Sequence, residues 1–171
     1  KKIIKSFNDE RIKYFFTKKF LSLGAARNFG ISHVKGKYLA FLDSDDTWER
    51  EKIFKSISFF NDKFGLIYSN VNYFSLDESF LLYSIRKPYS GICFKELAID
   101  YSLCLSSCLF SKELIDNHNI KFNSKLEVCE DYDFFLKLSY RTQVFYLDEP
   151  LVNYRIHPLN LTNTRRELFF K

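Results

Sequence analysis

The chain has 171 residues, of which 46% are hydrophobic and 27% charged, a balance typical of a soluble globular domain with a sizeable core. Its net charge of +5 comes from lysines and arginines scattered along the sequence, which excludes the concentrated basic stripe of a nucleic-acid-binding protein. No apolar run approaches the length of a membrane span, and the four cysteines lack zinc-ligand spacing, which favours reduced, buried thiols and a cytoplasmic protein.

Hydrophobic periodicity and turn residues predict helices and strands that alternate along one domain, as in an α/β protein. In chain order, the predicted elements are a helix over residues 1–7, a strand over 11–16, a helix over 24–34, a strand over 37–42, a helix over 49–60, strands over 65–68, 71–74 and 80–83, a helix over 94–99, a strand over 103–110, helices over 112–117 and 130–138, and strands over 143–147 and 151–155. The helix over 49–60 is amphipathic, and we expect Ile53, Ile57 and Phe60 to share its buried face.

The predicted strand 37–42 runs directly into three carboxylates, Asp43, Asp45 and Asp46. Its unbroken apolar run predicts a strand buried on both faces, and ligands in α/β sheets lie beyond the carboxyl ends of such strands. A divalent cation relieves the repulsion between crowded carboxylates, and Mg²⁺ typically binds one or two of them together with substrate phosphates. The pattern therefore indicates a metal–phosphate site, with an acidic turn in which Asp43 or Asp46 caps the following helix as the alternative.

Small residues open the predicted helix 24–34, and they allow another group to approach its backbone closely. Free N–H groups at a helix start attract phosphate, and Arg27 adds a fork-shaped donor beside them. The alternative is a packing face of small residues with a solvent-exposed arginine.

A second group of acids, within residues 127–133, stands at the start of the predicted helix 130–138. The helix dipole stabilises negative charge there, so simple capping explains these acids adequately. The functional alternative is a carboxylate that the helix holds in place as a general base.

Four ordered motifs resemble glycosyltransferase family 2, the inverting nucleotide-sugar transferases of the GT-A fold. The motifs are Gly24–Ile31 with Gly36–Tyr38, Phe41–Trp48, Glu130–Asp133 and Asn153–His157. The resemblance implies a GT-A, Rossmann-like mixed sheet with helices on both faces, in a single domain over residues 1–171.

The resemblance also implies a donor site with a metal, Mn²⁺ or Mg²⁺, on the diphosphate of a nucleotide sugar. Asp43 and Asp45 would hold the donor together with Arg27, which would contact the nucleotide. Asp45 and Asp46 would bind the metal, and His157 is a weaker candidate for metal or phosphate contact.

Two further residues receive catalytic roles from the resemblance. Asp131 would take the proton from the acceptor hydroxyl as that oxygen attacks the anomeric carbon, with Glu130 beside it. The implied acceptor is a glycan or lipid-linked glycan, and the implied pathway is surface polysaccharide or lipooligosaccharide synthesis. The net positive charge predicts peripheral contact with anionic lipid at the inner face of the cell membrane. Because the basic residues are scattered, we expect no nucleic acid among the partners.

The chain departs from the family pattern at its start, where a strand, a helix and a second strand usually precede the first motif. It also contains no methionine, so we treat it as a fragment of a longer protein and expect it to self-associate when expressed alone. A relic that keeps the fold and binds a nucleotide or glycan without catalysis is the alternative to an enzyme.

Overall fold

The computed structural model describes residues 2–164, in which helices pack against a six-stranded mixed sheet. The helices are α1 Lys2–Ser6, α2 Leu23–Ile31, α3 Lys52–Ile57, α4 Leu82–Ile85, α5 Phe94–Ile99, α6 Lys112–Asn117, α7 Glu130–Ser139 and α8 Leu161–Thr164. The strands are β1 Tyr38–Ala40, β2 Thr47–Trp48, β3 Phe64–Phe74, β4 Ser79–Leu81, β5 Cys108–Ser111 and β6 Gln143–Arg155. A 3₁₀ turn over Leu105–Ser107 precedes β5.

The sheet has the strand order β1-β5-β3-β6-β2, and β4 forms a hairpin with the far end of β3. Strands β3 and β6 run parallel along most of their length, and the other pairs are antiparallel. Strand β3 lies between β5 and β6, and its residues 66–71 are all buried, including the polar Ser69 and Asn70. The predicted α/β class with a mixed sheet is therefore confirmed.

Aromatic side chains fill the core between this sheet and α7. Phe134, Phe135 and Leu138 of α7 are almost fully buried, and Phe134 stacks on Phe122 with ring centroids 3.9 Å apart. Phe110 of β5 meets Phe134 edge to face. Fully burying such side chains stabilises a fold by about 1.5–3 kcal/mol each, so this packing fixes the start of α7 relative to the sheet.

Several predicted elements are confirmed. Helix α5 has its predicted bounds, and α6 begins after Ser111, whose Oγ accepts a hydrogen bond from the N–H of Leu114. The predicted strands 65–68 and 71–74 form one strand, β3, and those at 143–147 and 151–155 are joined in β6. The pairing of β3 with β6 is irregular near Pro150, where the sequence predicts a break.

Four strand predictions are wrong in part or whole, and one of them is 80–83, since β4 ends at Leu81 and α4 begins at Leu82. Residues 11–16 form no strand, because an alternating pattern needs a neighbouring strand, and Phe15 packs on Phe29 and His33 of the α2 region instead. The predicted strand 37–42 is confined to β1 and is not buried on both faces. Among the described strands β1 pairs only with β5, and Leu39 is its only buried residue. The predicted strand 103–110 is a 3₁₀ turn followed by β5.

Helix α3 is rotated relative to its prediction. Ile53 and Ile57 are 36% and 39% exposed, whereas Lys52 and Ser56 are fully buried. The Lys52 ammonium lies 4.8 Å from the centre of the Trp48 ring and donates a hydrogen bond to the carbonyl of Ser107 at 3.2 Å. These two contacts stabilise the buried ammonium of Lys52. Hydrophobic periodicity takes no account of such contacts, so it could not predict that Lys52 is buried.

Lys52→Met is expected to raise stability at neutral pH, by at most about 3 kcal/mol. Burial lowers the pKa of Lys52 to about 8, so its charge opposes folding when it is protonated. Between about pH 8 and 10 the unfolded chain binds a proton that the folded chain does not, so the parent gains stability as the pH rises. Urea unfolding of both proteins across this range checks the prediction, and a difference that stays constant with pH would contradict it.

Candidate functional site

A cavity of about 680 Å³ lies beyond the carboxyl end of β1. Asp43 and Asp45 reach it from the loop after β1, and Glu130 and Asp131 reach it from the first turn of α7. Arg27 of α2 also lines it, so five of the residues predicted for the site meet in one place. The packing of α7 on the sheet brings together two acidic motifs that lie far apart in the sequence.

Arg27 connects the two acidic groups. Its guanidinium pairs with the Glu130 carboxylate, contacts Asp43 Oδ1 at 3.4 Å and lies over the Phe122 ring. Its side chain is only 12% exposed, which excludes the alternative of a solvent-exposed arginine. Burial raises the pKa of both Glu130 and Asp43, and the neighbouring positive charge of Arg27 opposes both shifts.

The acid loop, residues 43–46, is a tight turn in which the N–H of Asp46 donates to the carbonyl of Asp43. Asp46 is buried, and its carboxylate accepts hydrogen bonds from the Ser106 hydroxyl at 2.6 Å and the N–H of Arg155 at 3.2 Å. Burial raises the pKa of Asp46, and these two hydrogen bonds oppose the shift. Glu51 stands at the start of α3, so the alternative in which Asp43 or Asp46 caps that helix is excluded.

Asp45 is held by the segment that follows β6. Its Oδ2 lies 3.0 Å from Nε2 of His157 and 3.4 Å from Nδ2 of Asn160, and its carbonyl accepts from Arg155. Asn160 is buried and also donates to the carbonyl of Arg155. Asn160 is therefore part of the site, a role that its sequence context does not indicate.

The described residues contain no group of three or more His, Cys, Asp or Glu side chains arranged to hold a metal ion. Asp43 and Asp45 face the cavity, which fits the one or two carboxylates that Mg²⁺ shares with a substrate diphosphate. Within residues 2–164, Asp46 and His157 do not line the cavity, and each already has the partners given above. The residues thus fit a metal that binds together with its substrate.

Asp131 is held by hydrogen bonds to both carboxylate oxygens. Oδ1 accepts from the N–H of Tyr132 at 2.8 Å, and Oδ2 accepts from the hydroxyl of Tyr101 at 3.1 Å. Burial raises the pKa of Tyr101 well above its ordinary value, so the phenol keeps the proton that it donates. Sequence reasoning missed Tyr101, because a single tyrosine in a loop gives no signal of its partner thirty residues later.

The mixed sheet and the acidic cavity at a strand end agree with the GT-A fold that the sequence motifs resemble. The sequence model of Glycosyl transferase family 2 matches residues 1–118, more than half of the chain. The chain therefore belongs to glycosyltransferase family 2.

Curated relatives agree with this assignment. An uncharacterized glycosyltransferase of Rickettsia conorii is 29% identical over 150 residues, which cover 86% of this chain and 24% of the relative. One from Methanocaldococcus jannaschii is 29% identical over 166 residues, covering 90% of this chain and 54% of the relative. The chain thus spans about a quarter to a half of these two relatives.

Solved structures show the same fold. The first 349 residues of TarS from Staphylococcus aureus, crystallised with UDP-GlcNAc, match with a TM-score of 0.61 and 17% identity. The match covers 80% of this chain and 39% of that TarS chain. Among residues 2–164, no helix has the length and apolarity needed to cross a membrane.

Proposed function

We propose that this domain transfers a sugar from a nucleotide-diphosphate donor to a hydroxyl of a glycan or lipid-linked glycan, with inversion at the anomeric carbon. The observation that supports the proposal is the shared cavity, which is lined both by two carboxylates of the acid loop and by a carboxylate fixed at the start of α7. Asp43 and Asp45 are the two carboxylates proposed to hold the metal and diphosphate, and Asp131 lines the same cavity from the start of α7. The cavity volume of about 680 Å³ is within the usual range for small-molecule sites.

The charge of the cavity supports a metal-dependent donor site. Its charged lining residues are Asp43, Asp45, Glu127, Glu130, Asp131, Arg27 and Arg86, which is five acids against two arginines. Arg27 is already paired with two of these acids, so a bare diphosphate would meet an excess of negative charge. Mn²⁺ or Mg²⁺ held by Asp43 and Asp45 would reverse that repulsion.

When bound, the metal would stabilise the departing nucleoside diphosphate as a Lewis acid. Asp46 and His157 could join the metal only by giving up hydrogen bonds that they make now. In their present places they hold the acid loop and Asp45, which keeps the two cavity-facing carboxylates in position.

Asp131 is the proposed general base. Tyr101 and the N–H of Tyr132 fix its carboxylate, so that it can take the proton of an acceptor hydroxyl as that oxygen attacks the anomeric carbon. Glu130 supports this arrangement by anchoring Arg27, which ties α7 to the acid loop. One displacement from the face opposite the leaving group gives inversion.

A relative that matches part of this chain supports a proposal about the kind of pathway in which the domain acts. A putative teichuronic acid biosynthesis glycosyltransferase of Bacillus subtilis is 36% identical over 55 residues, which cover 32% of this chain and 22% of the relative. This likeness supports surface polysaccharide synthesis, and the net charge of +5 is compatible with work at the inner, anionic face of the cell membrane.

Asp45→Asn is expected to weaken binding of UDP by about 10–100-fold in the presence of Mn²⁺, because it removes a carboxylate from the proposed metal. In excess EDTA the parent should lose its UDP affinity to a similar extent. Isothermal titration with UDP and Mn²⁺ measures both effects, and a donor screen with labelled nucleotide sugars then tests turnover.

Asp77→Asn is the control, since Asp77 is an exposed carboxylate in the β3–β4 turn and does not line the cavity. Equal UDP affinity with Mn²⁺ and with EDTA would contradict the metal assignment. Donor binding without any transfer across the screen would favour the relic that binds without catalysis.

A further inference from the structure

Ser106 contacts both ends of the acid loop although it lies outside every predicted motif. Its side chain is fully buried in the 3₁₀ turn before β5. The hydroxyl donates to Asp46 Oδ2 at 2.6 Å and accepts from the N–H of Asp43 at 3.2 Å. One hydroxyl thus joins the first and last acids of the loop.

The turn that carries Ser106 is itself firmly held. The indole N–H of Trp48 donates to the carbonyl of Ser106 at 2.8 Å, and Lys52 donates to the carbonyl of Ser107. The Ser107 hydroxyl donates to the carbonyl of Cys104 within the turn. Ser106 therefore projects from a fixed base toward the acid loop.

We propose that Ser106 is a positioning residue for the donor site, a role that rests on the proposed function. By holding the N–H of Asp43 and the carboxylate of Asp46, it turns Asp46 inward and leaves Asp43 and Asp45 directed at the cavity. The two cavity-facing carboxylates are then already oriented before any metal or diphosphate binds. Such preorganisation strengthens the binding of a charged ligand.

Two neighbouring serines provide a matched test. Ser106→Ala removes both hydrogen bonds to the acid loop, whereas Ser107→Ala removes one equally buried hydroxyl that bonds only within the turn region. Amide hydrogen exchange at Asp43 should become about tenfold faster in Ser106→Ala, the factor that corresponds to one lost hydrogen bond, and stay at the parental rate in Ser107→Ala. If Ser106→Ala does not fold, Ser106→Cys takes its place, because a thiol is a weaker donor.

The second readout is the affinity for UDP in the presence of Mn²⁺. We expect Ser106→Ala to weaken it by about 10–100-fold and Ser107→Ala by less than about twofold, since residues that orient metal ligands have effects of this size. Equal exchange at Asp43 in the two variants, or equal UDP affinity, would overturn the positioning role. A parent that binds no UDP with Mn²⁺ would contradict the proposed donor site, and the exchange comparison would still decide whether Ser106 holds the loop.

Discussion

Asp131→Asn is expected to lower the rate of sugar transfer by about 10²–10⁴-fold, which is the usual contribution of a positioned general base. The amide keeps the shape of the carboxylate: its oxygen can still accept from the N–H of Tyr132, and its nitrogen can donate to the hydroxyl oxygen of Tyr101, so the fold should be unchanged. It cannot accept a proton from the acceptor hydroxyl. Donor affinity should also remain, because the proposed metal and diphosphate lie at Asp43 and Asp45.

Asp133→Asn is the matched control for this measurement. Asp133 lies in the same first turn of α7, but its carboxylate pairs with Lys137 one turn later, and it does not line the cavity. Its replacement should leave the rate within about twofold of the parent, because an exposed pair of this kind contributes little to the fold. If donor affinity fell in step with the rate in Asp131→Asn, Asp131 would belong to binding and not to proton transfer.

Local signals predicted part of the fold well. Ser111 predicted the start of α6 because its hydroxyl caps the helix, and the acids at residues 130–133 predicted the start of α7 because the helix dipole favours them there. The predicted strands at 65–68 and 71–74 coincide with β3, which the sheet places between β5 and β6. Each of these features depends on residues that are close together in the chain.

Features that depend on distant partners were not predicted. Residues 11–16 alternate as a strand does, yet the described sheet offers them no neighbour, and β1 lies beside one strand only. Helix α3 buries Lys52 and not Ile53, because Trp48 and the carbonyl of Ser107 provide contacts for an ammonium. Side-chain patterns carry no information about such partners.

In the candidate site, too, some residues were predicted from the sequence and others, which depend on distant partners, were not. The acid motifs and Arg27 were predicted from their spacing and from the family resemblance, and the structure gathers five of those residues around one cavity. Tyr101, Ser106 and Asn160 were missed, because each acts by a hydrogen bond to an acid that is distant in sequence. These polar contacts exist only after the sheet and α7 have packed together.

Arg27→Gln is expected to lower the free energy of unfolding by about 3–5 kcal/mol, the usual cost of leaving one member of a buried ion pair without its partner. Glu130 is 5% exposed, so its carboxylate would remain in the interior without the guanidinium that compensates it. The control is Arg86→Gln, which breaks the pair with Asp100 at the surface, where both side chains are more than 40% exposed, and should cost less than about 1 kcal/mol.

The pH dependence of the Arg27→Gln variant identifies Glu130 as the cause. Burial raises the pKa of Glu130 in the folded protein, and Arg27 opposes that shift, so removing the arginine should raise the pKa further. The folded variant then binds a proton that the unfolded chain has lost, and its stability falls as the pH rises through that window. Urea unfolding at about pH 5 and pH 8 should therefore show a smaller difference from the parent at the lower pH. A difference that is equal at both pH values would mean that the arginine stabilises the fold through its packing on Phe122 and not through its charge.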